Sequence, residues 1–266
     1  MNGRVVIKLG GTSASDLSVV AFLAAELQRI CDHGVIVHGG GKEVSALSER
    51  LGHRPVFENG VRMTSDAEMD LVEMVLAGLV NKRIARALCA AGVPAVGISG
   101  SDGGLILGTP IGGASGEPSR TGLPTTVDLA PLEALWSAGL LPLVAPPSAA
   151  QDGRSLNINA DDVAFALATE MGAAALIFLS DVPGVLVDDG VVRLLTPNAV
   201  EEQIASGAIN GGMLPKVRNA VTALAGGVHR VVIGRYERPG DLEQLLCGLA
   251  GTSITDAQTG AQGGDR

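Results

Sequence analysis

Lys8 closes a short apolar run, Val5-Val6-Ile7-Lys8-Leu9, and Gly10 and Gly11 come directly after it. A buried strand has no use for an ammonium group unless a carboxylate or an anion answers it, because an unpaired buried charge is costly. Glycines placed just after a strand let backbone N–H groups approach an anion, and the helix start beyond them adds partial positive charge. Similar loops recur as "HGGGKE" (38–43), "GISGSDGG" (97–104), "SDVPGV" (180–185) and "NGGMLPK" (210–216). Lys216 follows Pro215, a residue favoured at the first helical position, so it is expected in a first helical turn. The helix dipole disfavours a cation there, and an anion bound at that helix start explains it better. Asp161, in "LNINADDV" (156–163), opens another helix, where a carboxylate is welcome with or without a further role. Arg62 follows the turn signal Asn59-Gly60, and reads either as an exposed loop cation or as a two-pronged clamp for a carboxylate. One glycine cluster alone is weak, since glycine turns also simply join strands to helices. Their number, beside these charged residues, points to phosphoryl chemistry, which needs positioning and charge neutralisation.

The usual nucleotide signatures are missing. The chain has neither G-x-x-x-x-G-K-[ST] nor a G-x-G-x-x-G at the first strand–helix turn, which weighs against a P-loop ATPase and a nicotinamide dehydrogenase. In a P-loop the lysine follows its glycines; here Lys8 precedes them. His38 precedes a glycine run and reads as structural, while His33, His53 and His229 read as surface or loop residues. Cys31, Cys89 and Cys247 are far apart, without a C-x-x-C, and read as reduced core cysteines.

These residues need elements to hold them, and the apolar pattern supplies them. Strands are expected at 4–9, 35–38, 94–99, 141–147, 175–180 and 229–234. Helices are expected at 15–34, 41–52, 65–92, 132–139, 162–172 and 215–227. Ser65 and Glu68 form a capping box, and Met69, Val72, Leu76 and Leu79 share a helical face. Strands that are apolar throughout, alternating with helices, predict an α/β fold with a mainly parallel sheet covered on both faces. Residues 104–126, rich in Gly, Pro, Ser and Thr, read as turns or a short hairpin, and the segment after Ile254 as a disordered tail (255–266).

Composition narrows the partners. The net charge of −9 argues against nucleic acid and anionic membranes, and an aromatic content of 2% leaves no platform for stacking bases. No apolar run approaches the length of a membrane span and no secretory leader is evident, so a cytoplasmic protein is expected.

In order, "IKLGG", "VIVHGGG", "NGVRMT", "EMVLAGLVNK", "GISGSDGG", "LNINADD", "LSDVPGV" and "GGMLPKV" resemble the motifs of the amino-acid kinase family, most of all its acetylglutamate kinase branch. The resemblance runs from about residue 4 to about residue 254. It implies a three-layer αβα sandwich around a mainly parallel central sheet. It implies transfer of the γ-phosphoryl of MgATP to the γ-carboxylate of N-acetyl-L-glutamate, in arginine biosynthesis. An N-terminal lobe (1–150) would bind the amino acid and carry the dimer contact, and a C-terminal lobe (151–254) would bind ATP. By the same resemblance Lys8 and Lys216 are the two lysines of the transition state, and Asp161 is the carboxylate that holds them. Gly10 and Gly11, with Gly40 and Gly41, donate to the phosphoryl and substrate carboxylate groups. Arg62 grips the α-carboxylate and Asn157 hydrogen-bonds the substrate. Asp181, Val182, Pro183, Gly184, Val185 and Leu186, with Ala208, Ile209 and Asn210, fall on nucleotide-binding segments. Mg²⁺ would ride on the ATP phosphates, so no protein metal cage is expected. Relatives that form arginine-inhibited hexamers carry an extra N-terminal helix, and seven residues precede Lys8 here, so a homodimer without arginine feedback is expected, joined through the helix 66–90. Carrier-bound aminoadipate or glutamate, or N-succinylglutamate, remain alternative substrates, and a non-catalytic sensor the alternative of another class.

Overall fold

A computed structural model describes residues 3–10, 16–58, 61–112, 119–188 and 190–256. In chain order it begins with β1 (Val5–Leu9), α1 (Leu17–Ile30), β2 (Gly34–His38) and α2 (Gly41–Arg50). The hairpin β3 (Val56–Glu58) and β4 (Val61–Met63) leads to α3 (Asp66–Glu73), a π-helical stretch (Met74–Val80) and α4 (Asn81–Ala90). Then come β5 (Ala95–Ser99), β6 (Ile106–Pro110), β7 (Thr121–Val127), α5 (Ala130–Ser137), β8 (Leu141–Ala145), β9 (Ser148–Ala150), β10 (Ser155–Ile158) and α6 (Ala160–Glu170). The chain continues with β11 (Ala175–Leu179), β12 (Leu186–Val187), β13 (Gly190–Val191), β14 (Leu194–Leu195), α7 (Pro197–Ala205), α8 (Met213–Ala225), β15 (Val231–Gly234), α9 (Asp241–Leu246) and β16 (Thr252–Ile254). Among the described residues no helix is long and apolar enough to cross a membrane.

Packing divides the chain into two compact units, one of Met1–Gly34 with Ala168–Arg266 and one of Val35–Leu167. In the first, β1, β11 and β15 pair in parallel, β16 joins β15 antiparallel, and β14 adds parallel to β16. Every residue of β11 is fully buried, as a sheet covered on both faces requires. α1 starts where Asp16 Oδ1 accepts the Ser18 and Val19 N–H groups at 3.0 and 3.3 Å, and it buries Val20, Leu23, Ala24 and Leu27. Thr255 donates through its hydroxyl to His229 O at 3.2 Å, so ordered packing runs one residue past the expected edge of the tail. Residues 257–266 lie outside the described ones.

The second unit has β2, β8 and β5 in a parallel sheet. Beside it β10, β7, β6 and β9 close into a small barrel. β6 and β7 pair antiparallel, as the hairpin reading of 104–126 expects, and the barrel takes them up; residues 113–118 lie outside the described ones. The glycines there serve close packing more than turning. A Cβ on Gly108 would stand 2.8 Å from Ile158 Cδ1, and one on Gly122 2.9 Å from Leu156 Cδ1.

The expected helix 65–92 is one continuous run in three parts. Its capping box forms: Ser65 Oγ accepts the Glu68 N–H at 3.3 Å, and Glu68 Oε2 accepts the Ser65 N–H at 3.3 Å. The π stretch takes up an extra residue and rotates the side chains of the next turns about the helix axis. Leu79, expected on the core face, is therefore 56% exposed, whereas polar Asn81 is wholly buried. The cysteine reading also needs correction: Cys31 is buried, but Cys89 and Cys247 are exposed, and all three are free thiols.

Ser65→Ala removes the cap hydroxyl and leaves the buried Glu68 carboxylate one partner short. Urea denaturation should show a loss of about 1 kcal/mol, within the usual range of about 0.5–2 for a helix cap.

Candidate active site

In the first unit the two lysines meet at one residue. β1 and β11 are in register with Lys8 opposite Phe178, so the two side chains are lateral neighbours on one face of the sheet. Lys216 Nζ lies 5.9 Å from the centroid of the Phe178 ring, within reach of a cation–π contact. The ring is fully buried and both lysines are half-buried, so their charged ends stand at the margin of a dry floor. Gly10 is required beside them: a Cβ there would lie 2.8 Å from Leu179 O and 3.0 Å from Lys8 Nζ. The ammonium therefore folds over the glycine backbone. Gly11 lies outside the described residues. α8 begins at Met213 after Gly212, two residues before Pro215, so the expected start is corrected, and Lys216 still belongs to the first turn.

The segments expected to bind nucleotide are held in the same unit. Val185 N–H donates to Thr252 Oγ1 at 2.8 Å, and a Cβ on Gly184 would stand 2.7 Å from that oxygen. Arg235 donates to the Asp181 carbonyl from Nε at 3.1 Å and again from Nη2, bracing the end of β11. Asp181, Pro183 and Leu186 are exposed and Val182 is half-buried. Val185 and Ile209 belong to the core, at 0% and 3% exposure, and the Val185 N–H and carbonyl are already taken up by Thr252 Oγ1 and the Val192 N–H. Asn210 is exposed, its amide donating to Gly207 O at 2.9 Å, and Ala208 is half-buried.

The second unit carries the carboxylate-binding candidates. Arg62 is 8% exposed, its guanidinium 4.8 Å over the Phe57 ring. Nη2 donates to Gly41 O at 3.3 Å and to Ser45 Oγ, tying the arginine to the first turn of α2. Nη1 is buried and has no hydrogen-bond partner among the described residues. Burial weakens the guanidinium's hold on its proton relative to an ordinary arginine, and the nearby Glu68 carboxylate offsets this in part. α2 itself begins at Gly41 with no side-chain cap, so the N–H groups of its first turn face outward as donors for an anion. Gly40, at φ 151°, must be glycine: a Cβ would stand 2.6 Å from Leu76 Cδ2. Asn157 Nδ2 donates to Thr64 Oγ1 at 2.8 Å, and Thr64 Oγ1 donates to Arg62 O at 3.3 Å, so Asn157 and Arg62 share one network. Asp161 is half-buried in the first turn of α6, its N–H donating to Asn159 Oδ1 at 2.9 Å. Among the described residues no group of three His, Cys, Asp or Glu side chains forms a metal cage.

His38 is fully buried, and desolvation holds its pKa down to about 4. His33, His53 and His229 are exposed. Residues absent from the sequence reading also enter the network. Thr121 Oγ1 donates to Arg62 O at 2.6 Å and accepts the Thr64 N–H at 2.9 Å, and Asn81 binds His38. Asn81 had a readable signal, since it lies three, four and seven residues before apolar Ile84, Ala85 and Leu88, on a core face.

Comparison with known proteins shows what the whole chain is similar to. The model of the amino acid kinase family matches residues 3–235. Acetylglutamate kinase of Chloroflexus aurantiacus is 48% identical over 229 residues, which are 86% of this chain and 90% of that protein. A Streptococcus mutans protein of solved structure aligns with a TM-score of 0.79 at 30% identity, over 95% of this chain and 98% of its own. N-acetylglutamate synthase of Neisseria gonorrhoeae, solved with coenzyme A and N-acetyl-glutamate, aligns with a TM-score of 0.82 at 26% identity, over 96% of this chain and 59% of its own.

The depressed His38 pKa fixes a pH dependence. The unfolded state binds the proton near pH 6.5 and the folded state only near 4, so the stability is whole above 6.5 and is lost as pH falls from 6.5 to 4. The loss is on the order of 3 kcal/mol. Denaturation of the unaltered protein and of His38→Asn at pH 7.5 and 5 should show this component in the first and not in the second.

Proposed function

The chain belongs to the amino acid kinase family, and from that premise we propose that it is an acetylglutamate kinase, transferring the γ-phosphoryl of ATP to the γ-carboxylate of N-acetyl-L-glutamate. The observation that carries the acceptor side is Arg62, a buried guanidinium whose Nη1 has no partner among the described residues, beside the uncapped start of α2. Such a site suits a carboxylate, which accepts from a guanidinium fork and from helix N–H groups together.

In the reaction a γ-carboxylate oxygen attacks the γ-phosphorus, the P–O bond to the bridging oxygen breaks, and ADP leaves with that electron pair. The acceptor carboxylate is ionised at neutral pH, so no general base is needed. Negative charge spreads over the transferring oxygens, and Lys8 and Lys216 with the Gly10 N–H answer it. Asp161 orients the lysines, Asn157 and Arg62 orient the amino acid, and Gly40 and Gly41 donate to its reacting end. Mg²⁺, arriving on the ATP phosphates, would supply further neutralisation. The segments 181–186 and 208–210 hold the nucleotide in the unit of Met1–Gly34 with Ala168–Arg266, rather than in a lobe of 151–254, and the unit of Val35–Leu167, rather than a lobe of 1–150, takes the amino acid. A sensor that kept the fold would have lost one of Lys8, Lys216 and Asp161, and all three are present. The same reading assigns the protein to arginine biosynthesis in the cytoplasm. A homodimer through the 66–90 helix is supported by Met74 and Leu79, exposed at 57% and 56%.

Three experiments test this reading. Coupled ADP release with N-acetylglutamate, N-succinylglutamate, aspartate, carbamate and UMP side by side should show turnover with N-acetylglutamate well above the others. Binding without turnover would instead favour the sensor. Lys8→Ala should keep fold and N-acetylglutamate binding while kcat falls roughly 10²- to 10³-fold. Arg62→Lys should raise the KM for N-acetylglutamate roughly tenfold, with little change in the KM for ATP, because the fork is lost and the charge kept.

A further inference from the structure

His38 lies between the β2 core and the glycines that open α2. Its Nδ1 is 2.8 Å from Gly39 O, and its Nε2 is 3.0 Å from Asn81 Nδ2. An amide NH₂ can only donate, so Nε2 accepts and Nδ1 carries the proton that goes to Gly39 O. Asn81 thus fixes the tautomer that binds the loop. Asn81 is itself tightly set: its second Nδ2 hydrogen goes to Leu143 O at 3.0 Å, with Ile98 O at 3.3 Å sharing it, while Oδ1 accepts from Lys82 Nζ at 3.1 Å. A Cβ on Gly97 would lie 2.0 Å from Asn81 Oδ1, so that glycine gives the amide its room. The π stretch ends just before Asn81, and Leu76 and Val80 from it press on Gly40, at 2.6 and 3.3 Å from a Cβ built there. Around the imidazole the charged groups are Glu43 on α2 and Lys82 and Arg83 on α4, with Arg83 Nη2 and Glu43 Oε1 paired at 3.0 Å.

We propose that His38 and Asn81 are a pair of positioning residues that hold the Gly39–Gly41 loop in the conformation receiving the substrate's reacting carboxylate, with His38 neutral and protonated at Nδ1. Three contacts converge on the start of α2: the imidazole on the Gly39 carbonyl, the π-stretch side chains on Gly40, and the Arg83–Glu43 pair one turn on. A free glycine loop would sample many backbone states, and each contact removes some of them before substrate arrives. The neutral imidazole suits this task because it keeps positive charge off Nε2, where Asn81 donates. The inference rests on the assignment of Gly40 and Gly41 to the acceptor.

Steady-state kinetics on the full chain, varying N-acetylglutamate and ATP separately, tests it. His38→Leu and Asn81→Leu should raise the KM for N-acetylglutamate roughly 10- to 100-fold, the scale of a small misplacement of reacting groups. The KM for ATP should change less than about twofold on the same grounds, since the loop belongs to the acceptor side. His38→Asn, whose amide nitrogen can replace Nδ1 as donor to Gly39 O, should restore most of the loss. Folded variants that keep the N-acetylglutamate KM unchanged would overturn the proposal and leave His38 a core residue. Should the leucine variants fail to fold, long-range ¹H–¹⁵N spectra of the unaltered protein decide: Nδ1 protonated and Nε2 bare at pH 7 is expected, and the opposite tautomer or a doubly protonated ring overturns it. An unaltered enzyme that does not phosphorylate N-acetylglutamate would sink the functional assignment, whereas normal turnover with indifferent variants sinks this inference alone.

Discussion

Lys216 rests on the face of the Phe178 ring, and Lys8 is the lateral neighbour of that same residue in the adjacent strand. Two like charges thereby stand around one buried aromatic residue, one over its ring and one beside it in the sheet, on a chain whose net charge is −9. A transferring phosphoryl is a group that both ammonium ends can answer. The dry floor matters as much as the charges. Where water is partly excluded, an ammonium interacts more strongly with a developing anion than it would in bulk solvent. The parallel register of β1 with β11 makes this possible, because it sets Lys8 and Phe178 side by side without any loop. Gly10 completes the arrangement by letting the lysine fold back over the backbone.

The side proposed for the acceptor uses different physics. Arg62 is almost wholly buried and held by Gly41 and Ser45, so its direction is fixed before a substrate binds. Thr64 and Thr121 lock the backbone carbonyl of the same arginine, and Thr64 passes the constraint to Asn157. The lysine pair is half-buried and partly wet; the arginine is braced and dry. Such a division fits a reaction in which one group moves between partners and the other only has to be kept still.

Much of this was legible in the sequence. Continuous apolar strands announced the parallel sheet, and the order of Lys8 before its glycines set the chain apart from a P-loop. The capping box at Ser65 and Glu68 formed as read. Other features depended on contacts distant in sequence. Gly108 and Gly122 look like turn formers, yet their purpose is to let strands approach Ile158 and Leu156, which no local pattern states. The π stretch breaks the constant helical period, so Leu79, expected inward, faces solvent, while Asn81, with its signal only in the period of the turns after it, is buried. Cys89 and Cys247 show the same limit, since an apolar neighbourhood in sequence does not guarantee burial.

The central claim is that a carboxylate receives the phosphoryl group. An acyl phosphate reacts with hydroxylamine to give a hydroxamate, so the decisive measurement counts hydroxamate against ADP with ATP and N-acetylglutamate present. The account predicts one hydroxamate for each ADP formed and none when N-acetylglutamate is omitted. ADP released without hydroxamate would place the phosphoryl on another acceptor and contradict it.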